Sequence, residues 1–263
     1  MTSPAFKFKQ ALQAGKVCLG AGINSTDPTT TEMLCGSGYD FFVLDAEHSP
    51  HTVENVQLHA MAVKGTDTVL IVRVPSNEPV IIKRMLDVGA HGILVPLVKT
   101  AEEARQAVSY CMYPPDGIRG FGPRRPANYE REFKDYISRA NKEMLVFAMI
   151  EDVQSVQNID EILRVPGLTG LLLGGCDLSG SMGMLGQTGH PKVIEAQEMV
   201  LTKARQAGKA VGLGLPGSNL EVATKWIRKG ANFLIIGSDM GFMVVTSDYT
   251  VTQLRGCIQD MVK

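Results

Sequence analysis

Short runs of apolar and β-branched residues recur along the chain, separated by longer stretches whose apolar positions return every three to four residues. The first period is that of strands buried on both faces and the second that of amphipathic helices. The runs predict strands at 17–23, 39–45, 68–74, 92–98, 144–150, 170–174, 210–215 and 233–238. Between them the spacing predicts helices such as Pro79–Val88 and Ala101–Tyr110, with Gly89, Gly208 and Gly230 placed to take left-handed caps. Eight strand–helix units with no linker predict an α/β fold, a (β/α)8 TIM barrel, as one domain over residues 1–263. A doubly wound sheet is the competing architecture. It would ordinarily carry GxGxxG after its first strand, where this chain reads GAGINS.

One segment breaks the rhythm. Tyr113 to Lys142 contains PPDGIRGFGPRRPANYEREF, too rich in Gly, Pro and Arg to predict a regular element. A loop of that length in a compact barrel is usually functional or disordered. Arg124 and Arg125 within it are either an anion-binding pair or two solvated surface cations.

Composition narrows the chemistry. A formal charge of -1 with no basic block gives no electrostatic reason to expect nucleic acid or an anionic membrane as partner, so small molecules are the expected ligands. Cys18, Cys35, Cys111, Cys176 and Cys257 contain no CxxC pair and read as reduced thiols rather than a disulfide or zinc framework. The amino-terminal residues lack the apolar centre of a signal peptide, and no stretch reaches membrane-span length. A cytoplasmic location is the resulting expectation.

The barrel frame groups otherwise scattered polar residues, because each lies at or just past the carboxyl end of a predicted strand. Asp45, Glu47 and His48 follow FFVL, Arg73 closes the third strand, Glu151 follows LVFAMI and Asp177 follows LLLGGC. Charge at the end of a buried run is costly unless that end opens into a solvated pocket. Asp45 and His48 are close enough in sequence to pair, and an Asp-supported imidazole is a general base near neutral pH. Two carboxylates leaving open positions suit a hard cation such as Mg2+ or Mn2+. Taken alone, Asp177 could equally cap a helix.

The strings LDAEHSP at 44–50, IVRVP at 71–75, MLDVGAHGILVPLV at 85–98, YPPDGIRGFG at 113–122, IE at 150–151, GGCDLSGSMGMLGQTGHP at 174–191 and GANFLIIGSD at 230–239 resemble the class II pyruvate aldolases of the HpcH/HpaI family. The resemblance runs in order over nearly the whole chain. It implies a (β/α)8 barrel assembled as a homohexamer, and metal-dependent reversible cleavage of 4-hydroxy-2-oxo acids to a 2-oxo acid and an aldehyde. Decarboxylation of oxaloacetate through the same pyruvate enolate is also implied. Carried over by residue, Glu151 and Asp177 would hold a divalent ion (Mg2+ or Mn2+, with Co2+ as a further candidate), Arg73 would contact the 2-oxo oxygen, and His48, oriented by Asp45, would be the acid/base group. Glu47 would support the metal surroundings. Asp87 matches a family acid associated with the histidine or a subunit interface, or is a helix-surface carboxylate.

The chain also departs from the family pattern. Gly174-Gly175-Cys176 replaces Gly-Pro-Ala before Asp177, leaving Gly175 and Cys176 as candidate backbone contacts to a substrate carboxylate. Arg125 is a candidate contact on the acceptor side. His91 stands where many members have glutamine and resembles the macrophomate synthase branch, which couples a decarboxylation-derived enolate to an acceptor; the alternative is a histidine at a strand start without a catalytic part. His51, His59 and His190 read as structural or solvent-facing. Two further readings are a barrel that binds a small oxo acid without turnover and a phosphate-sugar enzyme using Gly212–Gly214 and Gly237–Asp239. A Schiff-base mechanism would need a strand-end lysine in an apolar setting, and Lys99 is the one lysine close after a strand.

Overall fold

In the computed structural model, which describes residues 3–217 and 219–262, the order is α1 (Pro4–Gln13), β1 (Cys18–Ile23), α2 (Pro28–Cys35), β2 (Phe41–Asp45), α3 (Val53–Ala62), β3 (Val69–Arg73), α4 (Pro79–Asp87), β4 (Gly92–Val95), α5 (Ala101–Cys111) and α6 (Phe133–Glu143). It continues through β5 (Leu145–Ile150), α7 (Val153–Gln157), α8 (Ile159–Leu163), β6 (Gly170–Leu173), α9 (Gly175–Ser181), α10 (Pro191–Gln206), β7 (Ala210–Leu215), α11 (Leu220–Arg228), β8 (Phe233–Ser238) and α12 (Asp239–Val262). All eight strands are parallel and close in sequence order, with β8 pairing back onto β1. The chain is a (β/α)8 barrel, as the alternation of periods predicts.

Side chains alternate across each strand, so the barrel carries two apolar cores. Outward residues such as Phe42, Leu44, Leu70, Val72, Ile93, Val146 and Ala148 pack under the helices. Inward ones fill the barrel, and Phe233 stacks between Phe41 and Phe147 at 4.4 Å from each. From the amino-terminal end, α1 closes that core with Ala5, Phe8 and Leu12, Phe8 lying 5.4 Å from the Phe41 ring. This plug was not legible as an element, because α1 presents only a few apolar residues among polar ones. Its start carries a local signal all the same: Ser3 caps Phe6 N–H, followed by proline in the first turn.

Two predicted boundaries change. The fourth strand was expected to run to 98 but ends at Val95, because Leu97 turns left-handed at φ 53°. The irregular segment from Tyr113 to Lys142 is irregular only in its first part, since Phe133 onward forms α6. Its buried Tyr136 and Ala140 pack with Tyr113 and Ala127, an apolar pairing masked in sequence by the surrounding charges.

Candidate active site

Parallel strands deliver their last residues to one end, and there a cavity of about 590 Å3 opens among Asp45, Arg73, Gly174, Gly175, Cys176 and Asp177. Its floor is the apolar barrel interior, including Val43, Leu94, Met149 and Leu172. A dry floor beneath a charged rim strengthens each electrostatic contact made at the rim.

Arg73 is the organising cation. Its Nε and Nη2 donate to Asp45 Oδ1 and Oδ2 at 2.9 and 2.5 Å, while Nη1 lies 3.3 Å from Glu47 Oε2. Strand register places this pair directly, since Asp45 and Arg73 are partners across β2 and β3. The expected pairing of Asp45 with His48 is therefore corrected. Asp45 reaches His48 only through the backbone, Oδ1 accepting the amides of Glu47 and His48 at 3.0 and 3.1 Å. The turn after β2 swings the imidazole outward, where Nε2 lies 3.5 Å from Glu47 Oε2 and the side chain is 64% exposed. Burial pushes the Asp45 carboxyl up, but the Arg73 hydrogen bonds and charge, with the two amides, outweigh it and hold the group below the usual range.

The other acids are arranged oppositely. Glu151 is buried, and its Oε1 accepts the Leu97 amide at 2.7 Å, the N–H freed by the left-handed turn after β4. Burial raises its pKa, the Leu97 bond lowers it, and the nearby charges of Asp177 and Glu47 raise it further. Burial likewise raises Glu47 against the pull of Arg73 and His48, with Asp45 and Asp177 adding to the rise. Carboxyls whose pKa is raised by burial and by neighbouring negative charge mark a place where a cation relieves repulsion. Gly174 makes room for this arrangement: a Cβ there would stand 2.6 Å from Glu151 Cβ and 2.7 Å from Oε2. Asp177 is exposed at the rim in the first turn of α9, whose N-cap is Gly174 with no side-chain bond, so the capping alternative for Asp177 does not hold.

No cluster of three or more His, Cys, Asp or Glu side chains with metal-binding geometry occurs among the described residues. Glu151 and Asp177 alone would leave most positions of a six-coordinate ion to water and ligand, which suits a hard cation that retains several waters. Gly175 and Cys176 line the same opening, in the first turn of α9, whose opening backbone bond is Leu178 N–H to Gly174 O at 3.0 Å. The amides before that bond have no intrahelical acceptor. Lys99 is committed elsewhere, its Nζ 2.9 Å from Asp152 Oδ2, rather than set in the apolar surroundings that Schiff-base chemistry needs.

Three expected site residues lie away from this mouth. His91 sits at the amino end of β4, where its Nδ1 accepts the Leu70 amide at 3.0 Å. Arg125 is near it, donating from Nη2 to the Ala60 carbonyl at 2.6 Å. Asp87 ends α4 at the same end of the barrel and pairs with Arg119 at 2.7 Å, so within one chain it does not meet His48. Arg124 is exposed. Helices return antiparallel to the strands, so residues at a helix end or just before a strand gather opposite the site.

Sequence reasoning missed Asn24, Phe242 and Thr246 and took Ser238 only as part of a phosphate loop; all four line the cavity from the ends of β1 and β8 and from α12. The strand-end rule pointed to β1 and β8, but none of these residues is charged. Nearby, Asp239 accepts the amides of Asn24, Ser25 and Met240 at 2.9, 3.0 and 2.8 Å. A carboxylate already holding those amides argues against a phosphate cradle at Gly237–Asp239.

Comparisons with known proteins place the chain among relatives. The family model described as HpcH/HpaI aldolase/citrate lyase matches residues 21–245. A 5-keto-4-deoxy-D-glucarate aldolase of Klebsiella pneumoniae is 40% identical over 89% of this chain and 91% of its own. A crystal structure of an HpcH/HpaI aldolase/citrate lyase family protein from Burkholderia cenocepacia superposes with TM-score 0.90 at 29% identity, covering 95% of this chain and 99% of that one. Macrophomate synthase superposes with TM-score 0.85 at 25% identity, covering 97% and 90%.

Proposed function

The chain belongs to the HpcH/HpaI aldolase/citrate lyase family and is an enzyme of the lyase class, and from that premise we propose that it cleaves 4-hydroxy-2-oxo acids reversibly to pyruvate and an aldehyde. The observation that carries this reading is Arg73, fixed by Asp45 in a cavity that Asp177 also lines, with Glu151 close enough for the charges of both Asp177 and Arg73 to act on it. A 2-oxo acid needs both halves of that arrangement, a fixed donor for its oxo oxygen and a place where its negative charge is tolerated.

Glu151 and Asp177 would hold a divalent ion, Mg2+ or Mn2+ before Co2+ by the all-oxygen donor set. When bound, such an ion supplies positive charge that favours an enolate over the ketone. The protein's own groups do the rest. Arg73 Nη1 donates to the 2-oxo oxygen and stabilises the charge that gathers there. His48 Nε2 takes the proton of the 4-hydroxyl, the C3–C4 bond breaks, the aldehyde carbonyl forms and the electron pair passes into the C2–C3 enolate. Returning that proton to C3 gives pyruvate and balances the cycle. Glu47, in reach of both His48 and Arg73, orients the imidazole.

The relative's name supplies a first substrate. Retro-aldol cleavage of 5-keto-4-deoxy-D-glucarate yields pyruvate and tartronic semialdehyde, both small polar molecules of a size this cavity admits. Oxaloacetate decarboxylation belongs to the same proposal, because loss of CO2 leaves the same enolate at Arg73. A synthase of the macrophomate type was set apart in sequence by His91 and the arginine loop, and both lie at the other end of the barrel, so no observation at the mouth favours it. Oligomerisation is part of the proposal too: α12 leaves Met243, Val244, Tyr249, Leu254 and Ile258 exposed, more apolar surface than one helix ordinarily shows to water. No described helix is long and apolar enough to cross a membrane.

The test is pyruvate release from 5-keto-4-deoxy-D-glucarate, followed by coupled NADH oxidation with Mg2+ or Mn2+ present and after EDTA. Metal-dependent pyruvate formation is expected. No pyruvate with either ion, or undiminished turnover after exhaustive chelation, would overturn the reading.

A further inference from the structure

At the barrel end opposite the active site, a separate recess of about 260 Å3 lies among His91, Arg119, Arg125, Tyr136, Arg139 and the first residues of α1. Three guanidiniums converge there, and only two are neutralised. Arg119 faces Asp87 at 2.7 Å and Arg139 faces Glu143 at 2.7 Å, whereas no carboxylate lies within ion-pair reach of Arg125 among the described residues. A half-buried guanidinium without a counter-charge is costly.

One donor beside the recess lacks an acceptor. Arg119 is 3% exposed, and its Nε is buried with no hydrogen-bond partner. His91 Nδ1 is occupied as acceptor of the Leu70 amide, which places the ring proton on Nε2. The ring is enclosed yet keeps accessible surface, as a side chain lining a recess does. Ser3, Pro4 and Ala5 add the amino-terminal turn of α1, the positive end of a ten-residue helix. Backbone shape is committed to the arrangement as well: Gly89 adopts φ 113°, and the Arg125 guanidinium fills the space where a Cβ would stand.

We propose that this recess is a second ligand site, one that binds a small oxyanion between Arg125, the Arg119 side chain and His91 Nε2–H. Its occupant is a phosphate-type or carboxylate anion, since the donors are cationic or N–H and the volume admits only a small group. Bound there, the anion ties α1, the start of β4 and the loop before α6 together, and stabilises the plugged end of the barrel without touching the mouth.

The experiment is isothermal titration of the full chain with inorganic phosphate and, separately, with acetate, paired with thermal unfolding in each. Saturable binding of at least one anion with a rise in Tm is expected, and which anion binds tells phosphate from carboxylate. Arg125→Gln should weaken that binding about 10- to 100-fold, while Arg73→Ala, which empties the mouth of its cation, should leave it intact. Soaking wild-type crystals with selenate gives a check independent of variant folding, with an anomalous peak expected beside Arg125. Absence of binding by both anions, binding lost with Arg73→Ala but kept in Arg125→Gln, or a selenate peak at the mouth alone overturns the proposal.

Discussion

Arg73 holds Asp45 with two of its three nitrogens, at 2.9 and 2.5 Å, and Nη1, 3.3 Å from Glu47 Oε2, is the nitrogen placed to meet a ligand. The acid adjoining the histidine motif thus acts on the arginine. Asp45→Asn should keep the fold but loosen the fork, lowering turnover while raising KM. Arg73→Lys should lose about 10²–10³ in kcat, as for removal of an oxyanion donor, because an ammonium cannot satisfy both Asp45 oxygens and still reach the substrate. Steady-state pyruvate release by the two variants checks this; wild-type kinetics for Arg73→Lys would mean the bidentate geometry is unused.

The proposed mechanism gives His48 and Arg73 separable tasks. Aldol cleavage must remove the 4-hydroxyl proton, whereas oxaloacetate loses CO2 without a base to start it. His48→Ala should lower aldol cleavage by roughly 10²–10⁴ and spare most of the decarboxylase rate. Arg73→Ala should impair both, since both pass through the enolate. Equal losses of the two activities in His48→Ala would remove the imidazole from its assigned role.

The barrel was legible in sequence because strands such as FFVLD and LVFAMI are buried on both faces and read as continuous apolar runs. The rim acids and Arg73 were legible because charge ends those runs. Partner choice was not. Spacing placed Asp45 near His48, but the β2–β3 register sets Asp45 against Arg73, and register between strands is non-local. His91 and Arg125 misled for a related reason: a motif string is linear, whereas position before or after a strand decides which end of the barrel a side chain reaches. The left-handed Leu97 that presents its amide to Glu151 left no signal, since leucine seldom adopts that conformation.

Two buried imidazoles should set the acid limit of stability. Burial lowers His59 from 6.5 to about 4, with His51 facing it at 5.2 Å adding to the fall and Asp239 opposing it. His91 is lowered to about 4 as well, by burial and then by Arg125. A histidine with a depressed folded pKa binds fewer protons native than unfolded, so its contribution is complete above about 6.5 and is lost as pH falls toward 4. At pH 5 each would cost about 2 kcal/mol. Asp45, whose pKa is depressed below 3.8, contributes its loss only at lower pH. Denaturant unfolding between pH 7 and 5 should show stability falling, with a shallower fall in His59→Gln. An unchanged slope in that variant would place the proton uptake elsewhere.

Gly174→Ala tests whether Glu151 must stand where it does. The added methyl would lie 2.6 Å from Glu151 Cβ, well inside van der Waals contact, while the carboxylate is anchored on the Leu97 amide at 2.7 Å. Both neighbours are held by backbone at the barrel end, one just past β5 and the other just past β4, so the acid must leave its anchor rather than the strand give way. Divalent-ion affinity and kcat should each fall about 10- to 100-fold, the cost of misplacing a ligand or its support. Gly189→Ala is the control, because nothing lies within 4 Å of a Cβ there. Titration calorimetry with Mn2+ beside pyruvate release reads both effects. A Gly174→Ala enzyme with wild-type metal affinity and rate would show that Glu151 can move without consequence, and with it would fall the assignment of that carboxylate to the ion.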